Sequence, residues 1–535
     1  MPSRSLWVVL LGVGAPVAYL TWRRLMAYLR YFQQEGYEAL RFVTWTRVRP
    51  LTDPAVWLSI VAVLLHDRTP VLALALFAAG AVLLAWTQPD PLRTGKIPLR
   101  LTWRARRVLW VAALLAAAVW IAVAALRAPL DVVDGLLAAV VLLLLAPLTL
   151  VAANVLLTPY EASVQRTFEG DAARRLVAVH PFVVGITGSY GKSSTKAILA
   201  HMLQFKGPTL AASGSINTLM GVTRHVREDL VFGHQFMVVE MGAFRTGSIR
   251  RLCQLTPPAA GLVTAVGDMH LERFGSLDEI VKAKSELASA VPAGGLLVVN
   301  ADSPGALRIA RQATHCRVLL YGESSAEPLD TRLQRVQFER RGTTFVLMTR
   351  DRAYTCFTPL LGRPIILNLA GAFTLASALG VDPDLLVASL RTLRPVSNRL
   401  EVVEEAGVTW IRDAYNSNQF GFRAALEVAA ALPATRRFLA TPGVIELGTE
   451  QFEVNRALAR QAAAVCDTTL VVSGTNREAF TAGYRDAGRE ANLVTVANRT
   501  EAFRWLRETV KQGDSVILEN DLPDLYERHE GLFLR

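Results

Sequence analysis

The sequence is short of charge and of cysteine. Only 19% of its 535 residues are Asp, Glu, Lys or Arg, while 52% are hydrophobic, and the mean hydropathy is +0.30. Such a composition excludes a disordered, collagen-like or simple soluble chain and points to a membrane protein. The four cysteines, Cys253, Cys316, Cys356 and Cys466, form no C-x-x-C pair and have no histidine cluster beside them. That argues against a zinc centre or a disulfide framework and fits a reducing compartment. Acidic residues are scarce at one end. Residues 1–160 hold 15 Lys and Arg against 7 Asp and Glu, whereas the remaining 375 hold 42 against 39. The basic excess belongs to the hydrophobic end, so no nucleic-acid partner is expected.

Five apolar runs occur before Tyr160: Leu6–Tyr19, Ala55–Leu65, Val71–Trp86, Val108–Leu126 and Val132–Leu157. A hydrocarbon core about 30 Å thick needs ~20 residues of helix. The last three runs are long enough. The first reaches that length if Trp7 and Trp22 sit at the two interfaces. The second is short and begins after Pro54, so it either spans as part of a hairpin or is re-entrant. No small-residue cleavage pattern follows the first run, and Arg23 and Arg24 come next, so an uncleaved span is expected rather than a signal peptide. Loop charge gives orientation. Trp22–Asp53 carries Arg23, Arg24, Arg30, Arg41, Arg47 and Arg49, and Thr87–Arg107 carries Arg93, Lys96, Arg100, Arg104, Arg106 and Arg107. The opposite loops carry only Arg68 and Arg127. This predicts a multi-pass protein of the cytoplasmic membrane, N-terminus outside, with everything after Leu157 in the cytoplasm. The lipid bilayer is thus one partner, and the basic loops are read as topology signals or as sites for anionic lipid.

After Thr158 the pattern changes to the βαβ rhythm of a parallel sheet. Strands are predicted at Phe182–Ile186, Phe236–Glu240, Gly261–Val266, Gly295–Asn300 and Arg317–Tyr321. A second set is predicted at Val408–Arg412, Arg437–Thr441, Thr468–Val472, Asn492–Val496 and Ser515–Leu518, with Arg391–Ser397 as a linker. The expected architecture is α/β: transmembrane helices over 1–160, a P-loop parallel-sheet ATPase domain over 161–396, and a smaller Rossmann-like domain over 397–535.

The sharpest local signal is the run from Pro181 to Leu203. An apolar strand enters a Gly-rich loop, Gly188-Ser189-Tyr190-Gly191-Lys192-Ser193-Ser194, and a helix follows. Backbone N–H groups of such a loop and the helix N-terminus cradle polyphosphate. Lys192 is placed to bridge the β- and γ-phosphates of ATP, and Ser193 to offer its hydroxyl to Mg²⁺. The usual spacing wants a glycine at 186, where this chain has Ile186.

The variant T-G-S-x-G-K-S-S resembles the nucleotide loop of the Mur ligase family, which builds the peptide of bacterial peptidoglycan. Segments downstream carry the resemblance in order, over roughly residues 175–520. Val238–Ala243 is similar to the strand that supplies a Mg²⁺-binding glutamate, here Glu240. Gly267–Gly275 is similar to the His-bearing loop of the member that adds D-Ala-D-Ala, giving His270. Ala283-Lys284-Ser285-Glu286 matches the place of a lysine that is carbamylated. Asn300 and Asn368 match positions flanking adenine. Arg399 and Asp413 match the ATP-facing pair of the C-terminal domain. Asn416 and Asn418 match substrate-binding positions, and they also suit turn formation. The resemblance implies ATP and Mg²⁺ as cofactors, Ser193, Glu240, His270 and Lys284 as the metal-holding set, and Lys192, Lys284, His270 and Glu240 as the catalytic group. It also implies that the two soluble domains close over ATP. Without it, His270 reads as an ordinary loop histidine and Lys284 as a solvated lysine on a helix opened by a Ser276–Glu279 capping box.

The chain departs from that family in instructive places. About 160 residues of membrane segments stand where a UDP-sugar-binding domain is usual. Asn418 is followed by Gln419 rather than proline, Gly362-Arg363-Pro364 replaces Gly-His-Asn, and Glu519-Asn520-Asp521 replaces Lys-Gly-Ser. The expected activity is ATP-dependent amide bond formation through an acyl phosphate. It joins an amino acid or dipeptide to a membrane-linked glycan-peptide or polymer carboxylate. The alternatives are a polymer ligase similar to poly-γ-glutamate synthases and a non-catalytic ATP-binding scaffold for envelope assembly. The spans hold almost no ionisable groups, which argues against a transporter. The residues leave the oligomeric state open.

Overall fold

The structure, a computed structural model, describes residues 10–47, 49–94, 97–126, 132–269, 271–415 and 418–521. They divide into two compact units between Val164 and Gln165.

The first unit is helical. After a π-helical turn at Leu10–Gly14 come α1 (Ala15–Gln34), α2 (Ala39–Thr46), α3 (Pro54–His66), α4 (Pro70–Thr87), α5 (Trp103–Leu126) and α6 (Val132–Val179), whose residues from Gln165 on belong to the second unit. Asp53 caps α3, its carboxylate accepting from the Ala55 N–H at 2.9 Å, and Pro54 occupies the first helical position, where no N–H is needed. The same carboxylate neutralises Arg24, whose side chain is wholly buried. Nε and Nη2 of Arg24 donate to Asp53 at 2.6 and 2.8 Å, and Nη1 donates to the Gln88 amide oxygen. A buried guanidinium is tolerable only when so saturated, and here it ties α1 to the entry of α3 and the exit of α4.

Among the described residues, three helices are long and apolar enough to cross a membrane: Pro70–Thr87, Trp103–Val123 and Val132–Val179. A fourth span results if the bent pair Ala39–Thr52 and Pro54–His66, inclined by 43°, is one crossing. Of the five expected, the first run is not tested: its residues 6–9 lie outside the described residues, and the rest falls on the π-helical turn and the start of α1.

The second unit holds two sheets. The first contains β1 (Phe182–Thr187), β2 (Thr209–Ala211), β3 (Phe236–Glu240), β4 (Ala260–Val263), β5 (Leu296–Asn300), β6 (Arg317–Gly322), β7 (Thr331–Glu339), β8 (Gly342–Thr349) and β9 (Ala353–Thr358), in the order β2-β3-β1-β4-β5-β6-β7-β8-β9. Strands β1 to β6 are mutually parallel, and β7–β9 form an antiparallel extension. The parallel strands are nearly continuous apolar runs because helices cover both faces. The second sheet runs β10-β11-β15-β12-β13-β14, with β10 (Glu401–Glu405), β11 (Val408–Asp413), β12 (Arg437–Thr441), β13 (Thr468–Val472), β14 (Leu493–Val496) and β15 (Ser515–Glu519). Only β10 is antiparallel to its neighbour there.

In the first sheet β1 lies between β3 and β4, so chain connections leave it in both directions. A crevice therefore opens beyond its C-terminal end, the usual ligand position in such sheets. Register brings Glu240 level with Ile186, and Val263 level with Thr187, at that edge. Gly185 matters here. A Cβ on it would press on Leu287 and Met241, so its absence lets the helix Leu277–Ala290 settle close against β1.

Candidate nucleotide-binding site

The loop after β1 is shaped by two glycines. Gly188 (φ +147°) has room for no Cβ, because Thr264 lies against it, and Gly191 (φ +79°) turns the chain into the helix Lys192–Leu203 directly beneath the Asn368 amide. Ser189 stitches the loop to its neighbour: its Oγ donates to the Gly267 carbonyl at 2.9 Å and accepts from the Gly267 N–H at 3.1 Å. The free N–H groups of the first helical turn then face outward as an anion cradle.

Behind the loop is a buried polar cluster. Glu240 is 2% exposed; its Oε2 accepts from Ser193 Oγ and its Oε1 from Asn217 Nδ2, both at 2.9 Å. Lys192 Nζ donates to the carbonyls of Gly188 (2.8 Å) and Ser189 (3.2 Å). Lys284, 5% exposed, donates to the same Gly188 carbonyl at 3.0 Å. Burial pushes the Lys192 ammonium below its ordinary range, with Glu240 opposing and Arg399 adding to the shift. Lys284 is driven well below, by burial first and the Lys192 charge second. It has no carboxylate partner among the described residues, so its neutral amine is favoured.

A cleft of about 740 Å³ opens in front of the loop. Gly191, Ser194, Asn300, Asn368, Arg399, Asp413 and Asn418 all line it. Asn300 is held by the Asp302 N–H (2.9 Å). Arg399 reaches Ser215 Oγ at 3.3 Å and lies 4.2 Å over the Tyr415 ring. Asp413, at the end of β11, accepts from the Leu400 N–H at 3.2 Å. Asn418 caps the helix Gln419–Ala431, accepting from Phe420 and Gly421 N–H at 3.0 and 3.1 Å. His270 and Asn416 lie outside the described residues. The donor set fits a Mg²⁺-nucleotide: Ser193 and Glu240 present hard oxygens side by side, and three lysines and an arginine surround them.

Several residues of this site escaped sequence reasoning. Lys196, 3% exposed and 3.8 Å from Glu240, is one helical turn beyond Lys192, a spacing that could have flagged it. Ser215, 2.9 Å from Ser193 Oγ, and Asn217 lie in an aperiodic loop after the short β2, which carries no local signal. Tyr190 donates to Asp268, whose other oxygen accepts from Gln419 Nε2 at 2.6 Å; this joins the loop to the first turn of the Gln419–Ala431 helix. Arg363 pairs with Glu323 and, at 3.0 Å, with Glu427.

Asp413 supplies a pH test. Burial pushes its carboxyl from 3.8 up to about 6, against the pull of Arg399 and the Leu400 N–H. A carboxyl whose folded value is raised favours the fold below its unfolded value and loses that contribution as pH rises through the folded one. Urea unfolding is therefore expected to show wild type losing roughly 3 kcal/mol relative to Asp413→Asn between pH ~4 and ~6. Parallel curves for the two proteins would contradict this.

Known proteins share this architecture. A family model described as the Mur ligase middle domain matches residues 186–376, and one described as Mur ligase, glutamate ligase domain, matches 398–519. The UDP-N-acetylmuramoyl-tripeptide--D-alanyl-D-alanine ligase of Mycobacterium tuberculosis is 32% identical over 377 residues, 65% of this chain and 72% of that one. The crystal structure of MurF from Acinetobacter baumannii superposes with a TM-score of 0.60 at 25% identity, covering 69% of this chain and 79% of that chain. MurF ligase of Thermotoga maritima, solved in complex with ADP, gives 0.59 at 26%, covering 67% and 80%. The chain belongs to the Mur ligase family, the ATP-dependent amide ligases of peptidoglycan synthesis, and is MurF-like within it.

Proposed function

We propose that this ligase joins an amino acid or dipeptide to a membrane-linked carboxylate, a polyprenyl-borne glycan-peptide or a nascent envelope polymer. Residues 1–160 then form a membrane region, 161–396 the ATP-binding domain and 397–535 the closing domain, with the N-terminus outside and both catalytic domains cytoplasmic. The observation that carries the reading is the pairing of a MurF-like site with three to four apolar helices long enough to cross a membrane.

In this reading Lys192 and the loop N–H groups hold the ATP phosphates, with Gly188, Ser189, Gly191 and Ser194 shaping the cradle. Asn300 and Asn368 flank the adenine, and Arg399 and Asp413 approach from the second sheet. Bound Mg²⁺ supplies charge neutralisation between the phosphates and the approaching carboxylate, with Ser193, Glu240 and a carbamylated Lys284 as its holders and His270 as a fourth. The substrate carboxylate attacks the γ-phosphorus, ADP leaves, and the amine then displaces phosphate from the acyl phosphate. The chain contributes position and electrostatic complementarity rather than covalent chemistry.

The test is phosphate release and product mass with the full chain in lipid nanodiscs, using a panel of amino acids and dipeptides. A lipid-linked acceptor is expected to be used about tenfold or more better than the same glycan-peptide on UDP. Equal use of both would overturn the acceptor assignment.

A further inference from the structure

Within the first unit, α1 and α5 enclose an apolar groove of about 290 Å³, floored by Leu142 of α6. Small residues form its walls, among them Gly14 at the end of the π-helical turn, Ala18 on α1, and Ala113 and Ala117 on α5. A stripe of this kind ordinarily receives another helix. At about 290 Å³ it also takes a short stretch of a single hydrocarbon chain.

Two further observations point to a ligand. Thr21 lines the groove and is 6% exposed, yet its hydroxyl has no hydrogen-bond partner among the described residues. Elsewhere in this unit, Thr44 and Thr46 return their hydroxyls to the carbonyl one turn back, at 2.9 Å. Thr21 does not, although a buried hydroxyl left unpaired is costly. At the same end, Trp22 of the groove packs on Trp110 at 5.1 Å between ring centres. One turn before Trp110, on the same face of α5, stands Arg106, exposed, its guanidinium 5.2 Å over the Trp103 ring. Arg106 has no carboxylate partner among the described residues, and neither has Arg23, which follows Trp22 and donates to the Gln88 carbonyl at 2.6 Å. The groove is therefore apolar along its length, and Arg106 stands beyond it on the groove-facing side of α5, whereas Arg23 turns to Gln88 on the other face of α1.

We propose that this groove seats the chain of a polyprenyl phosphate, with its phosphate at Arg106 and its polar link beside the Thr21 hydroxyl. The choice of a polyprenyl chain rests on the membrane-linked acceptor proposed above; the groove and Arg106 do not.

The test uses the full chain in nanodiscs and a photoreactive polyprenyl phosphate. Labelling is expected in peptides covering Gly14–Leu25 and Ala113–Trp120. Unlabelled polyprenyl phosphate should compete, whereas unphosphorylated polyprenol and phosphatidylglycerol at equal mole fraction should not. Ala117→Trp, which fills the groove, should abolish labelling. Arg106→Gln should weaken it about fivefold, the share of one arginine at a membrane surface. Should Ala117→Trp fail to fold, Arg106→Gln and Thr21→Val decide. Labelling unchanged in the variants, equal competition by phosphatidylglycerol, or crosslinking between two copies through these helices would each overturn the proposal. Absent labelling with the lipid-acceptor preference intact removes the groove and leaves the acceptor reading. Labelling with equal use of the UDP-linked acceptor does the reverse.

Discussion

Lys192→Ala is expected to lower ATP-dependent phosphate release by about 10²–10³-fold, the scale of losing one preorganised charge-stabilising donor. The ammonium sits inside the loop, donating to the Gly188 and Ser189 carbonyls, with Glu240 behind it. It is already desolvated, so a phosphate oxygen arriving there meets a positive charge at little reorganisation cost. The charge that builds during transfer exceeds that of the ground state, so kcat should fall more than KM for ATP rises. The fold should survive, since Lys284 still satisfies the Gly188 carbonyl. Lys192→Arg should not rescue, because a planar fork does not fit where a compact ammonium is packed. Steady-state phosphate release beside a thermal melt reads both quantities. A variant within about threefold of wild type would remove Lys192 from phosphoryl transfer.

The second large effect concerns Lys284. Its burial and the neighbouring Lys192 charge disfavour a second ammonium, and a neutral amine is the form that attacks CO₂. In the carbamate proposed above, the nitrogen lone pair would bond to the CO₂ carbon, a proton would leave, and an N-carboxylate would remain. That anion would convert a repulsive pair of lysines into an attractive one. Lys284→Ala is expected to cost about 10²-fold in rate, with part restored by formate or acetate, which can occupy the vacated carboxylate position. Wild type stripped of CO₂ should slow, and bicarbonate should restore it. Full activity in Lys284→Arg, a permanent cation, would sink the carbamate assignment.

Legibility followed physical locality. The strands flanking the loop were readable because a strand buried on both faces is an unbroken apolar run, as in Phe182–Thr187 and Phe236–Glu240. The hairpins β7–β9 were not. Thr331–Glu339 reads TRLQRVQFE, half exposed and charged, and its turn at Arg340-Arg341 lacks the Asn-Gly or Asp-Gly signature. At three residues, β2 is too short to carry any period. The Ser276–Glu279 capping box forms only by half: Ser276 caps the Glu279 N–H at 3.3 Å, but the Glu279 carboxylate turns to Thr246. Within the site, the phosphate loop was legible as a contiguous motif. The burial of Lys284 was not, because it depends on Gly185, a residue almost a hundred positions away that lets the helix approach. Ser215 and Asn217 became visible only once β2 and β3 were paired.

The surplus of cations behind the phosphate loop has a consequence for the protein's lifetime. Lys192 and Lys196 gather at the buried Glu240 carboxylate, with Arg399 close by. Such a gathering stores mutual repulsion, and a seated polyanion relieves it. Whatever binds the folded form alone stabilises it in proportion to the logarithm of its concentration over its dissociation constant. Bound nucleotide is thus expected to shield the second unit from limited proteolysis in proportion to its occupancy.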